Sequence, residues 1–191
     1  MEVPAKVYQS LAQQIIDDYG IVEGRCLDVG TGRGMMGLEL GKRSSLQLYL
    51  LDVDGTVLSQ AEKNCRLQML ADRTVVIKAA VEELPFIDNY FDLVVSRGSV
   101  FFWDDISLGL KEIFRVLKSA GVAFVGGGTS RYMTENEREE FFRWARPLHR
   151  KYRKDWDKIS SVDNLQDQLL QAGIKGYQIH TGFGTWIEIQ K

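Results

Sequence analysis

Leu27-Asp28-Val29-Gly30-Thr31-Gly32-Arg33-Gly34 is the stretch on which the reading of this chain turns. Upstream of the glycines, Arg25-Cys26-Leu27-Asp28-Val29 reads as a buried strand; downstream, residues 35–43 read as a helix. A strand that turns through glycines into a helix presents free backbone N–H groups and the positive end of the helix dipole. Gly30, Gly32 and Gly34, with Thr31 between the first two, permit positive φ and close approach of a ligand to the main chain. Asp28 stands at the strand's end beside any such ligand. A buried carboxylate there is costly unless it meets donors or a cation, and the ammonium of a bound amino acid is one such partner.

On either side of this stretch, short apolar runs alternate with helical patterns. Residues 5–19 read as a first helix ended by Gly20, and 46–51 as a second strand closed by Asp52. Asp54 is an N-cap for a helix running to Leu70. Residues 74–79 and 91–96 are further strands. Ile106, Leu110, Ile113, Phe114 and Leu117 fall at helical spacing, with Gly121 as the stop and 122–125 as strand five. This alternation argues for an α/β fold with a largely parallel sheet. Runs 177–181 and 186–190 flank Gly182-Phe183-Gly184, a hairpin signal, and a hairpin is antiparallel.

Composition sets the bounds. The 191 residues, 45% hydrophobic and 26% charged, suit one compact domain over 1–191. A net charge of −2 gives no global drive toward nucleic acid or an anionic membrane. Cys26 and Cys65, each in an apolar run, read as buried reduced thiols, too few for a disulfide framework or a four-ligand zinc site. No metal site is expected. The first residues lead into an amphipathic stretch, and no run approaches the roughly 18 apolar residues of a spanning helix. A soluble, cytoplasmic protein without membrane contact is the expectation.

Asp52, at the end of the strand after the glycine loop, can accept both hydroxyls of a ribose. Asp28 and Asp52 together suit a ligand with an amino-acid end and a nucleoside end, and S-adenosylmethionine has both. The residues 27–34 resemble motif I of the class I methyltransferases, and Leu50-Leu51-Asp52-Val53-Asp54 resembles their acidic second motif. Glu82-Glu83-Leu84-Pro85-Phe86, then Tyr90-Phe91-Asp92-Leu93-Val94, resemble the later signatures of the small-molecule branch, the ubiquinone/menaquinone-biosynthesis-like type 11. Residues 110–121 with 122–125 resemble the family's helix and fifth strand.

The resemblance implies a Rossmann-like three-layer sandwich with a seven-stranded, mostly parallel sheet and an antiparallel C-terminal hairpin. It implies S-adenosylmethionine as cofactor, S-adenosylhomocysteine as product, and a small-molecule acceptor methylated by in-line displacement. Asp28 and Gly30 would hold the methionine portion, while Gly32 and Gly34 allow close approach. Asp52 would bind the ribose, with Val53 packing on adenine, Val81 bordering its edge and Ser96 lying beside the methionine end. Ala80 departs from the family, which often has an acid there for the adenine amino group. Glu82 or a backbone carbonyl would have to substitute.

Gly32-Arg33-Gly34-Met35-Met36-Gly37 also fits G-x-G-x-x-G, so an NAD(P)-binding oxidoreductase is the competing reading; that string alone is weak. A non-catalytic adenosyl-cofactor-binding protein is another. The acceptor pocket belongs outside the carboxyl ends of the strands. Arg97, Ser99, Phe101, Phe102 and Trp103 after strand four are placed there, with 129–132 after strand five and Tyr8 of the first helix. Arg97 can grip a carboxylate or phosphate, or be an ordinary surface or carboxylate-paired arginine. Asp104 and Asp105 read as helix caps rather than metal ligands. No catalytic base is identified, and His149 and His180 have no assigned role. Residues 129–160 read as a lid, substrate-binding or homodimer insertion. The basic and aromatic residues of 143–156 make RNA a minority partner, since acidic residues flank them.

Overall fold

The computed structural model describes residues 3–152 and 156–191. In chain order it holds α1 (Ala5–Tyr19), β1 (Arg25–Val29), α2 (Met35–Gly41), β2 (Gln47–Asp52) and α3 (Gly55–Leu67). Next come β3 (Thr74–Lys78), β4 (Phe91–Arg97), α4 (Ile106–Val116), β5 (Leu117–Gly128) and α5 (Glu135–Tyr152). The chain then forms α6 (Trp156–Ile159), α7 (Val162–Gln171), β6 (Tyr177–His180) and β7 (Gly184–Gln190).

The sheet has seven strands in the order β3-β2-β1-β4-β5-β7-β6. The first five pair in parallel, while β7 pairs antiparallel with both β5 and β6. Helices cover both faces. Cys26 of β1 packs in a cluster with α1, α2 and α3, whereas its neighbours Leu27 and Val29 pack with Leu110 of α4 and Leu165 and Leu169 of α7. Burial on both sides is why β1 reads as a nearly unbroken apolar run rather than an alternating one. The one buried polar residue in it, Asp28, is therefore conspicuous.

The chain leaves β1 toward β2 on one side and returns to β4 on the other. That reversal opens a crevice at the carboxyl ends of the strands, where α/β proteins bind ligands. The glycine loop sits at its centre.

Three helix ends differ from the sequence expectation, the first being α2, which stops at Gly41 rather than Arg43. The helix capped by Asp54, whose carboxylate accepts from the Thr56 amide, stops at Leu67 rather than Leu70. More tellingly, α4 ends at Val116, well before Gly121, and Leu117 already belongs to β5. The carbonyls of its last turn are taken by distant donors: Asn89 and Tyr90 amides bond Arg115 and Val116, and Lys191 Nζ reaches Phe114, Arg115 and Leu117.

Among the described residues no helix is long and apolar enough to cross a membrane. Both cysteines are free and buried. Arg153 and Lys154 lie outside the described residues, as do the side chains of His149, Arg150, Lys151, Tyr152 and Trp156.

The segment after β5 is fastened to α1. Gln14, buried in α1, accepts from the Ser130 hydroxyl and the Arg131 amide, both at 2.9 Å. Arg131 pairs with Asp18, Tyr132 donates to Asp17 and Lys6 pairs with Glu137. Val7, Met133, Phe141 and Ala145 close an apolar cluster beneath. Gln14→Ala takes the acceptor from the part-buried Arg131 amide and leaves the Ser130 hydroxyl with Ser10 alone, so urea unfolding is expected to show a loss of about 1 kcal/mol. An unchanged midpoint would mean that water replaces the amide.

Candidate functional site

Two cavities open along the crevice. The first, about 410 Å³, runs from Gly30 past Asp52 and Val53 to Ala80, Val81 and Glu82, and is bounded by Ser99, Phe102 and Trp103. The second, about 500 Å³, lies over the glycine loop, with Asp28, Thr31, Gly32, Met35 and Tyr8 in its wall. Gly30 and Arg97 border both, so the two form one trough over the loop. Its size suits a drug-sized ligand or cofactor.

The loop conformation follows from its glycines. Gly30 has φ +63°, and a Cβ there would stand 2.2 Å from Ser99 Cβ. Thr31 donates its amide to Leu51 at 2.9 Å, which ties the loop to β2. Gly34, at φ +83°, caps α2 and packs against Leu50; it borders neither cavity.

Asp28 is 2% exposed. Its Oδ2 accepts from the Thr31 hydroxyl at 2.6 Å and from the Gly37 amide at 2.9 Å. A Cβ on Gly37 would stand 2.5 Å from a Leu50 methyl and 3.2 Å from Asp28 Oδ2, so a side chain there would crowd the carboxylate. Burial pushes the Asp28 pKa up to about 6, against the two hydrogen bonds; the Asp52 charge raises it further. Gly37 was legible only as the last glycine of the G-x-G-x-x-G string. Its bond to Asp28 was not.

Asp52 faces the other side of the loop. One oxygen accepts from the Gly32 amide at 2.8 Å and the other from Asp54 at 3.0 Å. Beside it Val53 is 62% exposed, an apolar side chain left open on the cavity rim. Glu82 lines the same cavity, and its Oε1 accepts from the Asp104 and Asp105 amides. Asp105 itself caps α4, as its position in the sequence suggests.

Ser96 and Ser99 form a partly buried knot. Their hydroxyls bond each other at 2.6 Å, Ser99 also donates to Val29, and Trp103 donates its indole N–H to Ser99. This knot holds the segment after β4 against the glycine loop. Phe101 and Trp103 are buried, whereas Phe102 is half-exposed and lines the first cavity. Thr129 and Ser130, expected near the acceptor, are fully buried and spend their hydroxyls on Phe183, Ser10 and Gln14. Neither they nor Arg131 and Tyr132 line either cavity.

Arg97, the last residue of β4, is half-buried on the border of both cavities and is paired with no carboxylate among the described residues. Its Nη2 donates to the Gly128 carbonyl at 3.0 Å, and the guanidinium lies over the rings of Tyr8 at 4.9 Å and Phe141 at 5.6 Å. His180 bonds Glu188 at 2.9 Å in the hairpin, away from both cavities. No group of three or more metal-ligating side chains is found among the described residues.

The chain matches the family model described as a methyltransferase domain over residues 27–125. It is 35% identical over 100 residues to the ubiquinone/menaquinone biosynthesis C-methyltransferase UbiE of Geotalea daltonii, covering 51% of this chain and 43% of that one. It is 36% identical over 104 residues to 2-methyl-6-phytyl-1,4-hydroquinone methyltransferase 2 of Oryza sativa, covering 54% of this chain and 29% of the relative. The matched part is thus less than half the length of either curated relative. A solved structure of a candidate S-adenosyl-L-methionine-dependent methyltransferase from Methanococcus maripaludis superposes with TM-score 0.85 at 35% identity, covering 98% of this chain and 86% of that one.

Proposed function

Because the chain belongs to the methyltransferase domain family, we propose that it moves a methyl group from S-adenosylmethionine to a small-molecule acceptor. The observation that carries the reading is the pair of carboxylates on opposite sides of one glycine loop: Asp28, buried at the end of β1, and Asp52, open to the first cavity at the end of β2.

The residues fit the two ends of that cofactor. Asp52 keeps lone pairs for two ribose hydroxyls, and Val53 and Val81 offer apolar faces to a purine. Gly30, Gly32 and Asp28 would receive the amino-acid portion, whose ammonium supplies the cation a buried carboxylate needs. Ser96, buried and lining neither cavity, would act on that end only through its bond to Ser99. At the adenine edge Ala80 offers no side-chain acceptor, and one Glu82 oxygen is already engaged, so a backbone carbonyl or the second Glu82 oxygen takes the amino group.

When bound, the cofactor supplies an electrophilic methyl on a sulfonium. The chain's own task is to hold a nucleophile in line with it and to exclude water. A general base is required only for an acceptor that must lose a proton. Residues 129–160 serve as a cover over the acceptor side, a role supported by the packing of α5 on α1. The quinone-pathway names belong to the relatives; for this chain they support an acceptor of small-molecule class. Two free buried thiols suit a reducing, cytoplasmic setting.

A thermal-shift panel separates the readings. S-adenosylmethionine and S-adenosylhomocysteine are expected to stabilise the protein while NAD and NADP do not. Stabilisation by NAD alone would overturn the proposal in favour of an oxidoreductase. Asp52→Ala removes a charged acceptor, and calorimetry should show S-adenosylhomocysteine bound about tenfold more weakly. Release of S-adenosylhomocysteine on supply of metabolite pools would then show transfer and separate an enzyme from a binding protein.

A further inference from the structure

We propose that the trough ends in an anion site built on Arg97, so that the methyl acceptor carries a carboxylate or phosphate; this deepens, and rests on, the methyltransferase reading. The site rests on an imbalance of charge. Arg115, Arg131, Arg43, Lys42 and Lys118 have carboxylate partners, while Arg73 and Lys191 donate to two and three backbone carbonyls. Arg97 has only neutral company among the described residues: the Gly128 carbonyl and the aromatic side chains of Tyr8 and Phe141. Its Nε is buried with no hydrogen-bond partner.

A guanidinium partly stripped of water, its Nε buried and unpartnered, and left without an anion is costly. Burial pushes its pKa down, yet arginine stays cationic at any ordinary pH. The side chain borders both cavities, so its unsatisfied charge is offered to whatever fills the trough. Two flanking rings fix the planar fork, the geometry that grips a carboxylate or phosphate oxygen pair.

Position favours the acceptor rather than the cofactor as the source of the anion. The guanidinium is bonded to the carboxyl end of β5 and flanked by α1 and α5. Asp52 is at the end of β2, with β1 and β4 lying between β2 and β5 in the sheet. A cofactor stretched from Asp52 to Asp28 places its amino-acid end over β1 and the methyl toward β4. Arg97 is then beyond the methyl, under the α1–α5 cover, where an acceptor must lie.

The test uses the full chain saturated with S-adenosylhomocysteine and titrates benzoate, inorganic phosphate and neutral benzamide by ligand-observed NMR. Benzoate or phosphate is expected to bind the wild-type complex and to weaken about tenfold in Arg97→Met, with benzamide unaffected. S-adenosylhomocysteine affinity should change by less than about twofold. Should Arg97→Met fail to fold by circular dichroism, Arg97→Lys keeps the charge but loses the fork, and a severalfold loss of benzoate affinity is expected from it. Absence of anion binding in the wild type, or binding equal in the variants, overturns the site. So does an Arg97→Met protein that loses S-adenosylhomocysteine about tenfold while keeping 5′-methylthioadenosine, because the guanidinium would then serve the cofactor's own carboxylate. If the wild type binds no S-adenosylhomocysteine, the parent reading fails, and the same anion titrations on the free protein still decide Arg97.

Discussion

Gly30→Ala is expected to reduce S-adenosylhomocysteine affinity by at least about 100-fold, the scale of a roughly 1 Å misplacement of the loop. Two costs combine at this position. The left-handed φ of +63° disfavours any L side chain, by about 1–2 kcal/mol. The added methyl would also stand 2.2 Å from Ser99 Cβ and 2.3 Å from its Oγ, far inside contact distance. Ser99 cannot simply turn away, because its hydroxyl is bonded to Ser96, Val29 and Trp103. The backbone of Gly30 must therefore move, and the amides that face the trough move with it; overpacking of this kind adds about 1–3 kcal/mol of instability. Gly32→Ala separates the two costs, since φ there is +56° but a Cβ meets nothing within 4 Å. Its effect on urea unfolding should be limited to the backbone cost. Ser99→Gly removes the obstacle, so Gly30→Ala combined with Ser99→Gly should be less destabilised than the sum of the two single changes. Strict additivity in that cycle would show that Ser99 does not hold the loop.

The knot around Ser99 also marks where sequence reading stopped. Strands β1 to β4, the glycine loop and the terminal hairpin were legible because their signals are local: apolar runs ended by Asp28 and Asp52, and glycines at the turns. The start of β5 was not. Leu110, Ile113 and Leu117 keep helical spacing into a residue that is already strand, and α4 ends there because Asn89, Tyr90 and Lys191 take its last carbonyls from far along the chain. Periodicity carries no information about such bonds. The same limit applied at the site. Asp28 and Asp52 could be named from position alone, yet nothing in the sequence showed that the Ser99 hydroxyl is committed to three protein partners. Arg97 read equally well as a surface residue. Tyr8 of α1, Phe141 of α5 and Gly128 of β5, all brought to it by the fold, give it a half-buried setting without a carboxylate.

Asp28, unlike the half-buried Arg97, is a fully buried charge, and its burial governs its pH behaviour. Its folded pKa of about 6 lies above the ordinary value of 3.8. A carboxyl group with a raised folded pKa stabilises the protein fully below the unfolded value, and that contribution is lost as pH rises through the folded one. The free protein should therefore lose about 3 kcal/mol from this group between about pH 4 and pH 6, at roughly 1.4 kcal/mol for each tenfold change in proton affinity. Ligand binding runs the other way. The ammonium of the amino-acid end favours the ionised carboxylate, so S-adenosylhomocysteine affinity should climb from about pH 4 toward 7, by up to about tenfold per pH step below 6. Asp28→Asn keeps an oxygen that can accept from Thr31 and Gly37 but removes the charge. It is expected to raise the stability of the free protein above about pH 6, to weaken S-adenosylhomocysteine by about 100-fold near neutral pH, and to flatten the pH profile. 5′-Methylthioadenosine, which has no ammonium, supplies the control: its affinity should be nearly independent of pH in both proteins. Calorimetry across the range decides the matter, because a wild-type profile as flat as that of Asp28→Asn would mean that the carboxylate and the ammonium never meet.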